Sequence, residues 1–255
     1  MLPTSDLYKS DRIFKEKKGL FMIRDVNFEE ISDGFIYEPD DLVNVGCGEC
    51  MGCSDCCRIT GDSIILDPYD IYNLCKGLGR SFEDMMEKEI EIRLVNNLIL
   101  PNLITYDENN PLKEEKCAFL NEENRCSIHS FRPGYCRLFP MGRLYDEKGM
   151  HYFLQVNECT KKDIERYPVR LRDWIGIENL SQYETFVVSW HDFCKKMGEA
   201  LSNVNNPDKK TYIARYILQI FYVDPYKTGV AFWDQYDLRL KEATKIYEEK
   251  VLYRK

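Results

Sequence analysis

Five cysteines fall within eleven residues: Cys47, Cys50, Cys53, Cys56 and Cys57, in the run C-G-E-C-M-G-C-S-D-C-C. A buried cysteine packs as a small hydrophobe and gains nothing from recurring every third residue. Thiolates held this close repel one another unless a soft cation neutralises them. The run therefore reads as a ligand loop for a metal or an iron–sulfur cluster, and it constrains the rest of the chain.

The spacing Cys47-x2-Cys50-x2-Cys53-x3-Cys57 equals the C-x2-C-x2-C-x3-C ligand spacing of bacterial ferredoxins. Two residues between ligands let a tight loop turn successive sulfurs onto one inorganic cube, and Gly46, Gly48 and Gly52 permit the backbone angles this needs. The ferredoxin run ends in proline, whereas Arg58 follows Cys57 here, and Cys56 is additional. Cys117, Cys126, Cys136 and Cys159 follow at predicted strand ends and turns, which brings the candidate metal ligands to nine. Two four-thiolate clusters would need about eight of these and one cluster about four, and spacing does not choose between them. Zinc is the competing metal, because four cysteines, or three and a histidine, make a tetrahedral site. The C-x2-C pairs overlap instead of forming two separated knuckles, and the chain has only three histidines, His129, His151 and His191. Of these, only His129, three residues from Cys126, is kept as a possible site residue. Cys75 and Cys194 each stand alone on predicted helices and read as core filler.

Asn124 to Tyr145 contains Arg125, Arg132, Arg137 and Arg143 and no Asp, Glu or Lys, although the whole chain carries a formal net charge of −8. Arg58, Arg132 and Arg137 are the candidate cofactor-contacting cations. Arginines beside a four-thiolate cube offset its negative charge and raise its potential, while the guanidinium fork also suits carboxylate or phosphate. The third possibility is solvated surface charge.

The acidic balance argues against general binding of DNA, RNA or anionic membranes. The apolar runs are too short to span a bilayer. The first residues lack an apolar signal core, so the expected setting is the reducing cytoplasm, where cysteine clusters are metal-binding or catalytic more often than disulfide-bonded. With 44% hydrophobic residues over 255 positions, the chain can bury a core without cross-links. No G-x-G-x-x-G follows a predicted strand, and there is no G-x4-G-K-[ST], H-E-x-x-H, G-x-S-x-G or radical-SAM C-x3-C-x2-C.

The expected fold is α+β: an irregular cysteine-rich core with short strands and hairpins over residues 1–170, followed by a helical part over 171–255. Strands are predicted at 20–26, 35–37, 63–66 and 117–120. Hairpins are predicted over 90–106, turning at Asn96-Asn97 and interrupted at Pro101, and over 142–156. Asp67-Pro68 predicts a helix start, with a stop at Gly77 or Gly79. Ser81-x-x-Asp84 and Ser181-x-x-Glu184 predict capping boxes. Further helices are expected over 186–197, 212–222 and 230–252, with a break at Asp224-Pro225.

The run Cys50-Met-Gly-Cys53-Ser-Asp-Cys56-Cys57-Arg58 resembles the C-x2-C-x2-C-C signature of the YkgJ-like cysteine-cluster family, described as zinc- or iron-chelating. Cys117-Ala-Phe-Leu120, Arg125-Cys126-Ser-Ile-His129 and Arg132-Pro-Gly-Tyr-Cys136-Arg-Leu-Phe-Pro140 are similar to that family's second half, in the same order. The resemblance runs from Cys47 to about Cys159. It implies metal or cluster binding by Cys50, Cys53, Cys56, Cys57, Cys117, Cys126 and Cys136, with Cys47 an addition. The resulting expectation is a [4Fe–4S] protein, with one or two clusters, acting in electron transfer with a redox or protein partner. One branch of the resemblance, the flagellin lysine N-methylases, implies the alternative of an S-adenosylmethionine-dependent protein-modifying enzyme. A zinc-holding structural or trafficking domain is the other alternative.

Overall fold

In the computed structural model, which describes residues 28–47, 53–58, 64–105, 116–156, 158–159 and 164–248, local sequence signals set most of the elements. The fold is α+β, with short antiparallel strand pairs and a helical C-terminal part. The chain divides into two compact units, Met1–Cys56 with Gly134–Val188, and Cys57–Pro133 with Ser189–Lys255. The strand expected over 20–26 lies outside the described residues.

In the first unit, α1 (Phe28–Ile31) precedes β1 (Leu42–Gly46), which pairs antiparallel with β6 (Tyr167–Arg170). Residues 35–37 contribute bridges in place of a full strand, and Tyr37 exchanges backbone hydrogen bonds with Tyr152. The hairpin β4 (Met141–Asp146) and β5 (Gly149–Leu154) turns where Asp146–Gly149 predicted. Its inner face packs Leu144 and Phe153 against Phe28, with Ile31 and Ile36 at the edge. The short helices α4 (Gly134–Leu138) and α5 (Leu171–Ile175) complete this unit together with the start of α6 (Leu180–Ser202). Helix α6 begins at Leu180, so Ser181 lies within its first turn and not at the cap.

In the second unit, Asp67 caps α2 (Pro68–Leu78): its carboxylate accepts the Asp70 N–H, and the Asp70 side chain returns the contact to the Asp67 N–H. Proline in the first turn loses no helical hydrogen bond, and the helix ends at Gly79 in the left-handed region, φ +64°. Ser81 builds the same reciprocal box at α3 (Phe82–Met85). Strands β2 (Ile90–Val95) and β3 (Leu98–Leu103) form a hairpin in unbroken register, and Asn96 and Asn97 supply the two positive φ angles of the turn. Pro101 does not interrupt β3. It sits opposite Ile92, and its carbonyl accepts the Leu66 N–H at 2.9 Å. Of the strand expected over 63–66, residues 64–66 run beside β3 with a single bridge, Ile65 to Asn102, and Ser63 lies outside the described residues.

The hairpin turn seats on α6, where a Cβ at Gly198 would stand 2.5 Å from the Asn96 carbonyl oxygen. Helix α7 (Pro207–Leu218) continues into a π-helical turn, Gln219–Val223, before Asp224-Pro225 breaks the chain and α8 (Phe232–Tyr247) follows. Trp190 meets Phe221, Tyr222 and Tyr236 edge to face, and Phe232 stacks on Tyr236. Among the described residues, no helix is long and apolar enough to cross a membrane.

Candidate metal centre

The segment expected as a strand at 117–120 is instead a tight turn. The Leu120 N–H donates to the Cys117 carbonyl at 2.9 Å, and Leu120 then bridges antiparallel to Cys126. Asn121 closes the turn, because its side-chain oxygen accepts the N–H groups of Glu123 and Arg125 at 3.1 and 2.8 Å. Asn124 takes the left-handed conformation, φ +57°, which asparagine tolerates well. Ser127 ties back to the Phe119 carbonyl through both its N–H and its hydroxyl, at 2.9 Å each. These local bonds fold Cys117 and Cys126 onto one small hairpin.

The cysteine run joins this hairpin through Cys57. The Cys117 N–H donates to the Cys57 carbonyl at 2.7 Å, and the Cys57 thiol hydrogen-bonds to the Cys126 sulfur. That bond is the largest influence on Cys126. The Ile128 N–H and the Arg132 guanidinium add to it, burial opposes them, and the thiol is pushed down to about 6. The Cys57–Cys126 pair therefore gives up its first proton more readily than a lone thiol, and thiolate is the form that binds metal. Arg132 also contacts His129 on the 3-10 turn His129–Phe131. Arg58 reaches the same hairpin and donates to the Asn124 side-chain oxygen at 2.6 Å.

Residues 49–165 match the family model CxxCxxCC, described as "Putative zinc- or iron-chelating domain". This segment is similar to the CxxCxxCC family. Neither the curated proteins nor the solved structures gave a match. The CxxCxxCC segment includes all the candidate ligands except Cys47.

The predicted ligands separate as follows. Cys57, Cys117 and Cys126 meet within the second unit. Cys47, at the end of β1, and Cys53, Cys56, Cys136 and Cys159 belong to the first. Cys50 lies outside the described residues. None of the described cysteines is in a disulfide. Among the described residues, no group of three or more His, Cys, Asp or Glu side chains takes a ligating arrangement. The donor chemistry at Cys57 and Cys126 nevertheless fits a soft metal, being a thiol paired with an acidified thiol beside a cation. Cys194, the predicted filler, behaves as such, because burial pushes its thiol pKa far up.

The arginine stretch also divides. Arg132 and Arg58 serve the cysteine hairpin, whereas Arg137 reaches the Gly176 carbonyl at 3.4 Å in the first unit. Arg143, which the charge pattern alone left among the site cations or the surface, is buried. One of its terminal nitrogens donates to the Tyr183 hydroxyl at 2.8 Å, and its guanidinium lies over the rings of Tyr135 and Tyr183. The long tyrosine spacing held no signal for that cage.

Proposed function

We propose that this chain is an iron–sulfur protein that binds a [4Fe–4S] cluster and works in electron transfer. The observation that carries the reading is the Cys57–Cys126 thiol pair, in which Cys126 is acidified and Arg132 stands by. Cys57, Cys117 and Cys126 are the ligand candidates in the second unit. Cys47, Cys50, Cys53, Cys56, Cys136 and Cys159 are candidates on sequence spacing. The C-x2-C-x2-C-x3-C spacing favours a cube over zinc, whose structural sites are usually built from separated knuckles.

When bound, the cluster supplies a one-electron couple. The protein's own part is to present thiolates and to hold positive charge near them. With a cluster bound, Arg132, which lies beside Cys126 and contacts His129, would stabilise the more negative oxidation level and raise the potential.

The test is iron, acid-labile sulfide and zinc per chain on protein purified without oxygen, together with the visible spectrum before and after dithionite. Equal iron and sulfide with a bleachable brown absorbance is the expected result, and its stoichiometry gives one cluster or two. Zinc without sulfide overturns the cluster and the redox role together.

A further inference from the structure

The second unit holds a cavity of about 610 Å³ between α2, α3 and the π-helical turn Gln219–Val223 with the loop after it. That volume falls in the range of small-molecule pockets, roughly 300–1,000 Å³. Its wall is built from Ile71, Tyr72, Cys75, Phe82, Tyr222 and Tyr226.

Two features shape the backbone of this wall. A π turn widens the helix by one residue and recurs at functional sites. Here the Asp224 N–H reaches back to Gln219 at 2.8 Å, which leaves nearby carbonyls without helical partners. Arg239 on α8 donates to the Ile220 carbonyl within the turn at 2.6 Å and to the Asp224 and Pro225 carbonyls just after it at 2.8 and 2.9 Å. The same guanidinium lies 3.8 Å from the centroid of the Tyr226 ring. Two of the three tyrosine hydroxyls are also occupied: Tyr222 donates to the Leu66 carbonyl at 3.0 Å and Tyr226 to the Phe221 carbonyl at 3.2 Å. What these residues contribute to the cavity is therefore ring surface.

The buried side chains of the wall carry no charge, and of the charged ones that also line the cavity, Lys76, Glu83 and Asp224 are exposed. Burial, with Glu83 and Asp84 nearby, pushes the Cys75 thiol up to about 11, so it is neutral. Charges of both signs sit at the rim: Lys76, Glu83 and Asp224, with Arg80 already held by Glu89 at 2.8 Å. A charged ligand would lose its hydration inside without gaining a buried counter-charge. The ring surface not covered by Arg239 on Tyr226 or Lys76 on Tyr72 instead favours an offset-stacked or edge-on aromatic guest.

We propose that this cavity is a binding site for a planar, uncharged aromatic small molecule, separate from the cysteine hairpin and independent of the metal. The probe is 5-fluoroindole, titrated into the full-length holo-protein and followed by 19F NMR. Saturable binding of one probe per chain is expected. Cys75→Phe fills the wall and Thr228→Trp covers the rim from an exposed loop position. Each should weaken binding by at least about tenfold, with unchanged circular dichroism and metal content. Thr228→Trp decides alone should Cys75→Phe fail to fold. No saturable binding to the wild type, or undiminished binding in every folded variant, overturns the proposal.

Discussion

The Cys57 carbonyl accepts the backbone N–H of Cys117 at 2.7 Å, pinning the end of the cysteine run to a hairpin that also carries Cys126. The link is made by backbone, so it persists whichever side chains occupy the two positions. Ligand substitutions can therefore remove a thiol without unpinning the hairpin. Cys57→Ser and Cys126→Ser should each lose bound metal with secondary structure retained, while Cys194→Ser keeps its metal. Elemental analysis beside circular dichroism reads both quantities, and full metal content in both site variants would remove the pair from the ligand set.

Asn121 governs how well that hairpin is held. Its side-chain oxygen accepts two N–H groups, so Asn121→Ala frees both at an exposed turn. Each lost bond is worth about 0.5–1.5 kcal/mol. The expected result is faster metal release to a chelator with the initial metal content unchanged. Release at the wild-type rate would show that the turn does not limit metal retention.

Gly77 and Phe131 make a second contact that reaches the site. A Cβ at Gly77 would stand 2.6 Å from the Phe131 ring, next to Arg132. Glycine to alanine inside a helix ordinarily stabilises by about 0.5–1 kcal/mol. Gly77→Ala should reverse that sign and cost about 1–3 kcal/mol, the usual effect of overpacking. Phe131→Leu should recover part of the loss in a double-mutant cycle. A stabilised Gly77→Ala protein in a denaturant titration would contradict the contact.

Gly134 exists to admit Tyr183. An added Cβ would clash with the tyrosine hydroxyl and lie 3.2 Å from the Arg143 guanidinium. Tyr183→Phe strands a buried guanidinium hydrogen and should cost about 1–3 kcal/mol. Gly134→Ala should be markedly less harmful in the Tyr183→Phe background, because the clashing oxygen is gone. Equal cost in both backgrounds, measured by thermal unfolding, would refute the steric account.

His191 gives a pH signature. Burial holds its pKa below the ordinary 6.5, only partly offset by Asp192. A folded-state pKa below the unfolded value means the unfolded chain binds the proton more readily. The stability from neutral His191 is complete above about 6.5 and is lost as the pH falls through the folded value. The difference in unfolding midpoint between the wild type and His191→Asn should therefore shrink from pH 7.5 to 5.5. A constant difference would show that His191 does not titrate in that window.

Signals confined to a few residues determined much of this protein from sequence alone. Asp67-Pro68 and Ser81-x-x-Asp84 start helices because a cap needs only its own first turn, and Asn96-Asn97 fixes a hairpin because the turn sets the register of its strands. The cysteine motifs placed metal chemistry in residues 47–159, since thiolates this dense have no packing role. Tertiary structure decided the rest, because those choices depend on partners distant in the chain. It turned 117–120 from a strand into a turn that delivers Cys117 to Cys57. It drew Arg143 out of a cationic run and into a tyrosine cage, where Tyr183 satisfies one guanidinium hydrogen. It also widened α7 into a π turn whose Ile220 carbonyl accepts from Arg239, a residue of the next helix that no pattern within α7 could announce.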